Sequence, residues 1–413
     1  MDYSALQFNG GVGNITNDPN NDMDDTKTKQ SVEQVDDEIV LLEKKLLGSN
    51  VPPDMKEETM RSVARLKRMS KMGAYSSEFE NVNKYVDWIT RIPWGVLSQD
   101  NYNLENAKEL MDKTHYGMDT VKELILDYLA TMQLQSGNFK NDTPPSQIEG
   151  RSEESRNADP SQMAVLKGSS ANAPVFLFVG LQGVGKTSIA KSIANSMGRK
   201  FIRVSLGAIG DVRTLRGTPR FSIDGEPGQI IKALVRCGTM NPIILLDEIE
   251  KASGTAGLLN DVMAALLEIL DPEQNATYVD HYIDYPVDLS HVFFICTANN
   301  LGGLSAALLD RIEIIRFTSY TDDEKEVMAK KYLLPKVLEN LNLTNDDLQI
   351  QDDVWPKIIR PVGFDAGVRQ LERNITTIAR KAGRMIVQGS ETPIIVTQEN
   401  LSSFVIADQG PLS

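Results

Sequence analysis

Eight consecutive residues constrain this chain more than any others: Gly180-Leu181-Gln182-Gly183-Val184-Gly185-Lys186-Thr187, set between the apolar run Val175–Val179 and a helical pattern that begins at Lys186. A strand that turns through glycines directly into a helix leaves backbone N–H groups facing into the turn, with the positive end of the helix dipole behind them. Glycines let that backbone approach a phosphate closely, a lysine there reaches the terminal oxygens, and the hydroxyl that follows is placed to meet a magnesium ion. The pattern predicts a phosphate-binding loop in which Gly180, Gly183, Val184, Gly185, Lys186, Thr187 and Ser188 surround the ligand.

Such a loop needs a parallel sheet to carry it, and the flanking sequence supplies one. Strand-length apolar runs at Val175–Val179, Phe201–Val204, Ile243–Leu246, Val292–Thr297 and Glu313–Phe317 alternate with helical patterns from Lys186, near Gly228–Val235 and near Leu258–Leu270. Alternation of this kind predicts an α/β fold, a parallel sheet covered by helices on both faces. The run Ile243-Ile244-Leu245-Leu246 ends in Asp247-Glu248, and carboxylates at the C-terminal end of a parallel strand lie in the crevice where open α/β sheets bind ligands. Asp247 is suited to hold magnesium through water, opposite Thr187, and Glu248 to orient and polarise the water that an in-line phosphoryl transfer requires.

Outside this region the patterns change. Residues 1 to about 35 are rich in Asn, Asp, Gly and Thr, too polar to offset the entropy of ordering, and are expected to form a disordered acidic tail. Ile39, Leu42 and Leu46 share one helical face before Gly48 and Pro52-Pro53, and a second helix is expected from Asp54 to Met69. Tryptophans at Trp88 and Trp94 and methionines at Met55, Met60, Met69 and Met72 read as packing residues. Val121, Leu124, Ile125, Tyr128 and Leu129 mark another helix, after which the polar stretch Gln133–Ala173 reads as a disordered insertion. Beyond Tyr320 the strand signal stops, and helical patterns at Asp322–Leu341, Asp353–Ile359 and Val368–Val387 predict a small, mostly helical domain.

Composition removes several function classes. A net charge of −14 opposes nucleic-acid binding, which is not expected. No apolar stretch reaches the roughly 18 residues that a membrane span needs, so no membrane association is expected. Two cysteines, Cys237 and Cys296, in so long a chain predict inert buried thiols and a reducing compartment, such as the cytoplasm. The first 38 residues carry nine acidic side chains and two lysines, unlike an organellar presequence, and no signal-peptide pattern follows Met1. His281 and His291 have no cysteine or acidic partner at ligand spacing, so no histidine metal site is expected.

The segment Leu267-Glu268-Ile269-Leu270-Asp271-Pro272-Glu273-Gln274-Asn275, followed by Asp280-His281-Tyr282-Ile283 and Asp288-Leu289-Ser290, closely resembles the ATPase module of Lon proteases. So do Arg199 to Gly207 and Ala366 to Arg373, and the resemblance runs from about Asp36 to Ile406, broken by Gln133–Ala173. It implies an AAA+ fold divided into a disordered tail (1–35), an N-terminal helical segment (36–104), an α/β nucleotide-binding domain (105–317, with the 133–173 insertion) and a helical lid domain (318–410). It also implies ATP with Mg2+ as cofactors. By position, Tyr116 and Gly117 match the segment that packs on adenine, Asn299 the first sensor, Arg311 the arginine finger offered to a neighbouring subunit, and Arg369 the second sensor on the lid. The expected catalytic group is therefore Glu248, Asn299, Arg311 and Arg369, with Arg369 also touching the nucleotide and Thr187 and Asp247 holding the metal.

The departures are as informative. The family continues past the lid into a peptidase with a Ser-Lys dyad, whereas this sequence stops at Ser413, so no peptidase activity is expected of this chain alone. In the loop that faces the central pore the family has an aromatic-aliphatic-glycine step; aligned on Pro227-Gly228, this sequence has Ser222, Ile223 and Asp224, with Phe221 one place early. The resemblance implies a homo-oligomeric ring, a hexamer, that hydrolyses ATP and acts on protein substrates as an unfoldase or chaperone. Two alternatives stay open: a regulatory subunit that assembles with a complete Lon-type protease or a separate peptidase, and a truncated fragment.

Overall fold

The computed structural model describes residues 37–70, 77–135, 175–207, 211–251, 256–360 and 367–404. The expected tail (1–35) and nearly all of the expected insertion (133–173) lie outside these residues. The chain divides into two compact units at Thr90–Arg91.

The first unit is helical: α1 (37–47), α2 (Pro53–Ser70) and α3 (Ser77–Arg91). Ile39, Leu42, Val63, Leu66, Phe79 and Val86 close its core, and each recurs at helical spacing on its own element. This unit ends short of the expected boundary at residue 104, because residues 98–101 are tied to the second unit. Arg199 grips Asp100 with two hydrogen bonds of 2.7 Å, and the Asn101 N–H donates to Met197 O at 2.9 Å.

In the second unit, α4 (Leu104–Thr114) and α5 (Asp119–Gln135) precede β1 (Val175–Val179). There follow α6 (Lys186–Met197), β2 (Phe201–Ser205), α7 (Val212–Arg216), α8 (Gln229–Cys237), β3 (Ile243–Asp247), α9 (Ala256–Leu270), β4 (Tyr278–Val279), β5 (Pro286–Val287), β6 (Phe293–Ala298), α10 (Ala306–Leu309) and β7 (Ile312–Arg316). Five strands pair in the order β2-β3-β6-β1-β7, all parallel. Every residue of β1, β3 and β6 is buried, as both-face coverage by helices demands, whereas β2 and β7 expose residues along their length, as edges do. The core above the sheet is aromatic: Phe176 meets Phe293 edge-on at 5.4 Å and Tyr128 at 5.5 Å, while Tyr128 stacks on Phe293 at 5.0 Å. Cys296 is buried within β6, and Cys237, at the end of α8, is half-buried; burial raises both thiols above their usual range, which keeps them protonated.

Beyond the sheet lie α11 (Asp322–Met328), α12 (Leu334–Asn340), β8 (Leu348–Ile350), α13 (Trp355–Ile359), α14 (Arg369–Val387), β9 (Ile394–Val396) and α15 (Leu401–Phe404), packed around the buried Trp355, Leu371, Ile375 and Ile378. Two details depart from the periodicity. The expected single helix Asp322–Leu341 carries a π turn at Ala329–Leu333, where the Leu334 N–H reaches back to Ala329 O; Pro335, which has no N–H and would crowd a regular turn, sits just after it. The parallel pair β8–β9 is the second departure, three residues on each strand and too short to leave a period in the sequence. Among the described residues no helix is long and apolar enough to cross a membrane.

Phe176 is 1% exposed at the centre of the aromatic cluster. Phe176→Ala should lower stability by about 3–5 kcal/mol through lost burial and a residual cavity, whereas Phe221→Ala, at a side chain 78% exposed, should stay within about 0.5 kcal/mol. Urea unfolding of both variants beside the wild type reads the difference.

Candidate nucleotide-binding site

The loop between β1 and α6 starts at Gly180, where a side chain is excluded: a Cβ would stand 2.6 Å from Phe317 O at the end of β7. Gly183 and Gly185 take φ of +84° and +96°, and Gly185 caps α6. This left-handed backbone turns the loop over the start of a 12-residue helix, a cradle for an anion. Val184 is buried and its carbonyl accepts from the Tyr320 hydroxyl at 2.9 Å. The Lys186 ammonium donates to Gly180 O, to Leu181 O at 3.2 Å and to Asn299 Oδ1 at 3.1 Å. Burial lowers its pKa from the usual lysine range, opposed by the charges of Glu250 and Asp247. Thr187 is half-buried on the first turn of α6. Beside it, the exposed Ser188 donates to Gly185 O at 2.9 Å.

Parallel register delivers the acids to the same edge of the sheet. Asp247, the last residue of β3, is buried; its Oδ2 accepts from Arg203 Nε at 2.7 Å and its Oδ1 from the Thr297 hydroxyl. That hydroxyl in turn accepts the Glu248 N–H at 3.0 Å, so one buried threonine on β6 holds both acids in place. Glu248 has φ of +59°, a costly value for a side-chain-bearing residue, and such strain concentrates at sites where a side chain must be aimed. Its Oε1 accepts from Lys251 Nζ at 2.8 Å. Asn299 follows β6 directly, and its Nδ2 donates to Glu250 Oε1 at 2.7 Å.

Two further segments close on the loop. From the far domain, the Val368 N–H donates to Gly183 O at 3.2 Å, and a Cβ on Gly367 would lie 2.5 Å from the Gly183 carbonyl carbon, so the start of α14 meets the loop backbone to backbone. Arg369 heads that helix, its Cγ 3.3 Å from the point a Gly183 Cβ would occupy. From the other side, Tyr116 and Gly117 form the turn between α4 and α5, but the residues that reach the loop are their neighbours. The Met118 methyl would stand 2.9 Å from a Cβ on Gly185, and His115 Nε2 lies 3.0 Å from Ser188 Oγ. Arg311 is the predicted site residue not brought here. Its Nε donates to Asp271 Oδ2 at 3.0 Å and its NH1 to Ala307 O at 3.1 Å, and the side chain is 43% exposed. Burial would raise the Asp271 carboxyl, but the Glu273 N–H, the Gln274 amide and the Arg311 guanidinium outweigh it and hold the acid below its usual range.

The chemistry of these donors fits a nucleoside triphosphate with magnesium. The loop offers an ammonium and a helix N-terminus to phosphate, and Thr187 and Asp247 offer hydroxyl and carboxylate oxygens, the hard donors that magnesium takes. Sequence reasoning missed Thr297, Glu250, Lys251, Arg203, His115 and Met118. Only Glu250 and Lys251 carried a signal, by following Asp247-Glu248 directly in the chain.

Residues 218–226, which include the Ser222-Ile223-Asp224 step, form a separate closed loop. The Thr218 N–H donates to Glu226 O and the Glu226 N–H to Thr218 Oγ1, both at 3.0 Å. Phe221 and Ile223 project from its tip, the latter 102% exposed, with Ser222 and Asp224 also on the surface. At its base the buried Asp280 carboxylate accepts the Gly228 N–H at 2.7 Å.

His115 supplies a pH test. Burial, reinforced by the charge of Lys122, depresses its pKa from 6.5 to about 4, so the folded chain keeps a neutral imidazole that the unfolded chain protonates. As pH falls from about 6.5 towards 4 the unfolded state takes up a proton the folded state refuses, and stability is lost, about 3 kcal/mol in full. NMR titration should place the His115 imidazole midpoint near 4; a midpoint at the ordinary histidine value contradicts this.

Comparison with known proteins agrees with this geometry. Residues 176–320 match the model of the ATPase family associated with various cellular activities (AAA), and residues 339–394 match the Lon protease AAA+ ATPase lid domain. The chain is 40% identical over 374 residues to Lon protease 2 of Thermus thermophilus, an alignment covering 90% of this chain and 43% of that protein. It is 39% identical over 365 residues to Lon protease of Bacillus thuringiensis (88% of this chain, 41% of that protein) and 38% identical over 368 residues to Lon protease 1 of Bacillus subtilis (89% and 43%). The alignments thus span about two fifths of the length of these relatives. With a parallel sheet in the order β2-β3-β6-β1-β7, a glycine loop on β1 and a helical domain meeting that loop, the chain has the α/β AAA+ fold, and its sequence matches the AAA+ module of the Lon proteases.

Proposed function

We propose that this chain binds and hydrolyses ATP with Mg2+ and works as a ring-forming motor on protein substrates, an unfoldase or chaperone. The observation that carries the reading is the meeting of Lys186 Nζ with Asn299 Oδ1, 3.1 Å apart, beside Asp247 and Glu248 at the ends of adjoining strands. Gly180, Gly183, Val184, Gly185 and Ser188 line the phosphates with backbone and hydroxyl donors, and Lys186 binds the terminal oxygens. Tyr116 and Gly117 bound the base. Thr187 and Asp247 hold magnesium, which when bound neutralises charge on the phosphates. Glu248 accepts a proton from the attacking water and orients it, and Asn299 hydrogen-bonds that water or the terminal phosphate. Arg369 responds to the nucleotide from the lid, where its helix already rests on Gly183.

Arg311 acts between subunits. Asp271 and Ala307 O hold its guanidinium while leaving it 43% exposed, which suits a charge presented to a neighbour's nucleotide in a hexameric ring. Phe221 and Ile223, fixed at the tip of a closed loop, provide apolar contact for an extended polypeptide in place of the aromatic the family carries one residue later.

Glu248→Gln should preserve ATP binding within about threefold and lower turnover by at least about a hundredfold, since the water-activating carboxylate is lost and the phosphate cradle is untouched. Steady-state hydrolysis by purified wild type and variant, paired with binding of a fluorescent ATP analogue, checks this; equal turnover in the two proteins contradicts it. For the loop, Phe221→Ala should slow ATP-dependent unfolding of a tagged fluorescent protein by about threefold or more through lost apolar contact, with hydrolysis changed less than about twofold. Unfolding that is unaffected removes Phe221 from the grip.

A further inference from the structure

We propose that Glu250 is a positioning residue for hydrolysis, acting through Asn299 by fixing which face of its amide meets Lys186. The proposal rests on the ATPase reading above. Glu250 lies on the 3-10 turn Ile249–Lys251 that follows Asp247-Glu248. Its Oε1 accepts two hydrogen bonds from one residue, the Asn299 main-chain N–H at 3.1 Å and the Asn299 Nδ2 at 2.7 Å. The other side of the same amide accepts from Lys186 Nζ at 3.1 Å.

A carboxylate accepts and does not donate, and an ammonium donates and does not accept. An amide held between the two has a single orientation, NH2 towards Glu250 and carbonyl towards Lys186. Turning it over would set its oxygen against the carboxylate and its NH2 against the ammonium. One N–H of the amide is spent on Glu250, and the second remains for an oxygen of the nucleotide or of the attacking water. Because the main-chain N–H of Asn299 goes to the same carboxylate oxygen, Glu250 also pins the end of β6 to the turn that follows β3, and so sets Asn299 relative to Asp247 and Glu248. Its negative charge further opposes the effect of burial on Lys186. Glu250 itself need touch neither nucleotide nor water; reacting geometry is sensitive to displacements of about 1 Å, and this clamp removes that freedom.

The test is a double-mutant cycle in the full chain, with kcat for ATP and the Kd of a fluorescent ATP analogue read for wild type, Glu250→Gln, Asn299→Ala and the pair. Glu250→Gln keeps the side chain's shape but replaces the obligate acceptor with a group that also donates. It is expected to lower kcat by about tenfold to a hundredfold with Kd within about threefold of wild type. In the Asn299→Ala background the same substitution should change kcat less than about twofold, because the residue through which it acts is gone. A Glu250→Gln kcat within twofold of wild type, or a full loss repeated on top of Asn299→Ala, overturns the positioning role while leaving the ATPase reading standing. A wild type that binds the nucleotide without turning it over overturns both. If Glu250→Gln fails to fold, Glu250→Asp, which keeps the carboxylate and withdraws it by one methylene, carries the same comparison.

Discussion

Parallel pairing of β1, β3 and β6 with their C-terminal ends on one edge is the constraint on which the site depends. Val179 pairs with Ala298, and Leu246 with Cys296, so the residues that leave those strands, Gly180, Asp247 with Glu248, and Asn299, emerge side by side although more than a hundred positions separate the first from the last. A slip of one residue in any of these strands would turn a buried apolar face towards the wrong helix layer. The all-buried strands therefore enforce the register that sets these residues side by side.

At that edge the protein gathers charge, and it holds Asp247, Glu248 and Lys186 each by named partners. Asp247 lies against Arg203 and the Thr297 hydroxyl, Glu248 against Lys251, and Lys186 against two loop carbonyls and Asn299. Pre-placed charges of this kind are worth more in a partly buried crevice than in water, and they spare the reaction the cost of reorganising solvent. The positive φ of Glu248 belongs to the same design, since the strained backbone is over-determined by the Thr297 contact at its N–H. The lid joins through backbone contacts between Gly183 and Gly367 that leave no room for a Cβ on Gly367, so movement of the loop on meeting a ligand would be felt directly by α14.

How much of this was legible follows from how local each signal is. The central strands were readable because a strand buried on both faces is a pure apolar run, as Val175–Val179 and Ile243–Leu246 are. The glycine loop and the Asp247-Glu248 strand end were readable because their residue types and spacing are set by the backbone turn and the strand terminus. By contrast, nothing local marks Thr297 or His115: a threonine inside an apolar strand and a histidine after a helix acquire their roles only when β3, β6, α4 and α6 come together. Met118 was likewise hidden behind the more recognisable Tyr116 and Gly117, and β8 and β9 were too short to show a period. The division at Thr90–Arg91 leaves no local mark either, since the Asp100–Arg199 pair that ties the following residues to the sheet domain spans 99 residues.

In the function proposed above, the loop from Gly180 to Ser188 is a triphosphate site whose essential cation is Lys186. Calorimetric titration of the purified chain with ATP and Mg2+ tests it most directly. One ATP bound per chain, with binding lost or weakened by about a hundredfold or more in Lys186→Ala, is the result expected. No heat of binding in the wild type, or equal affinity in Lys186→Ala, would contradict it.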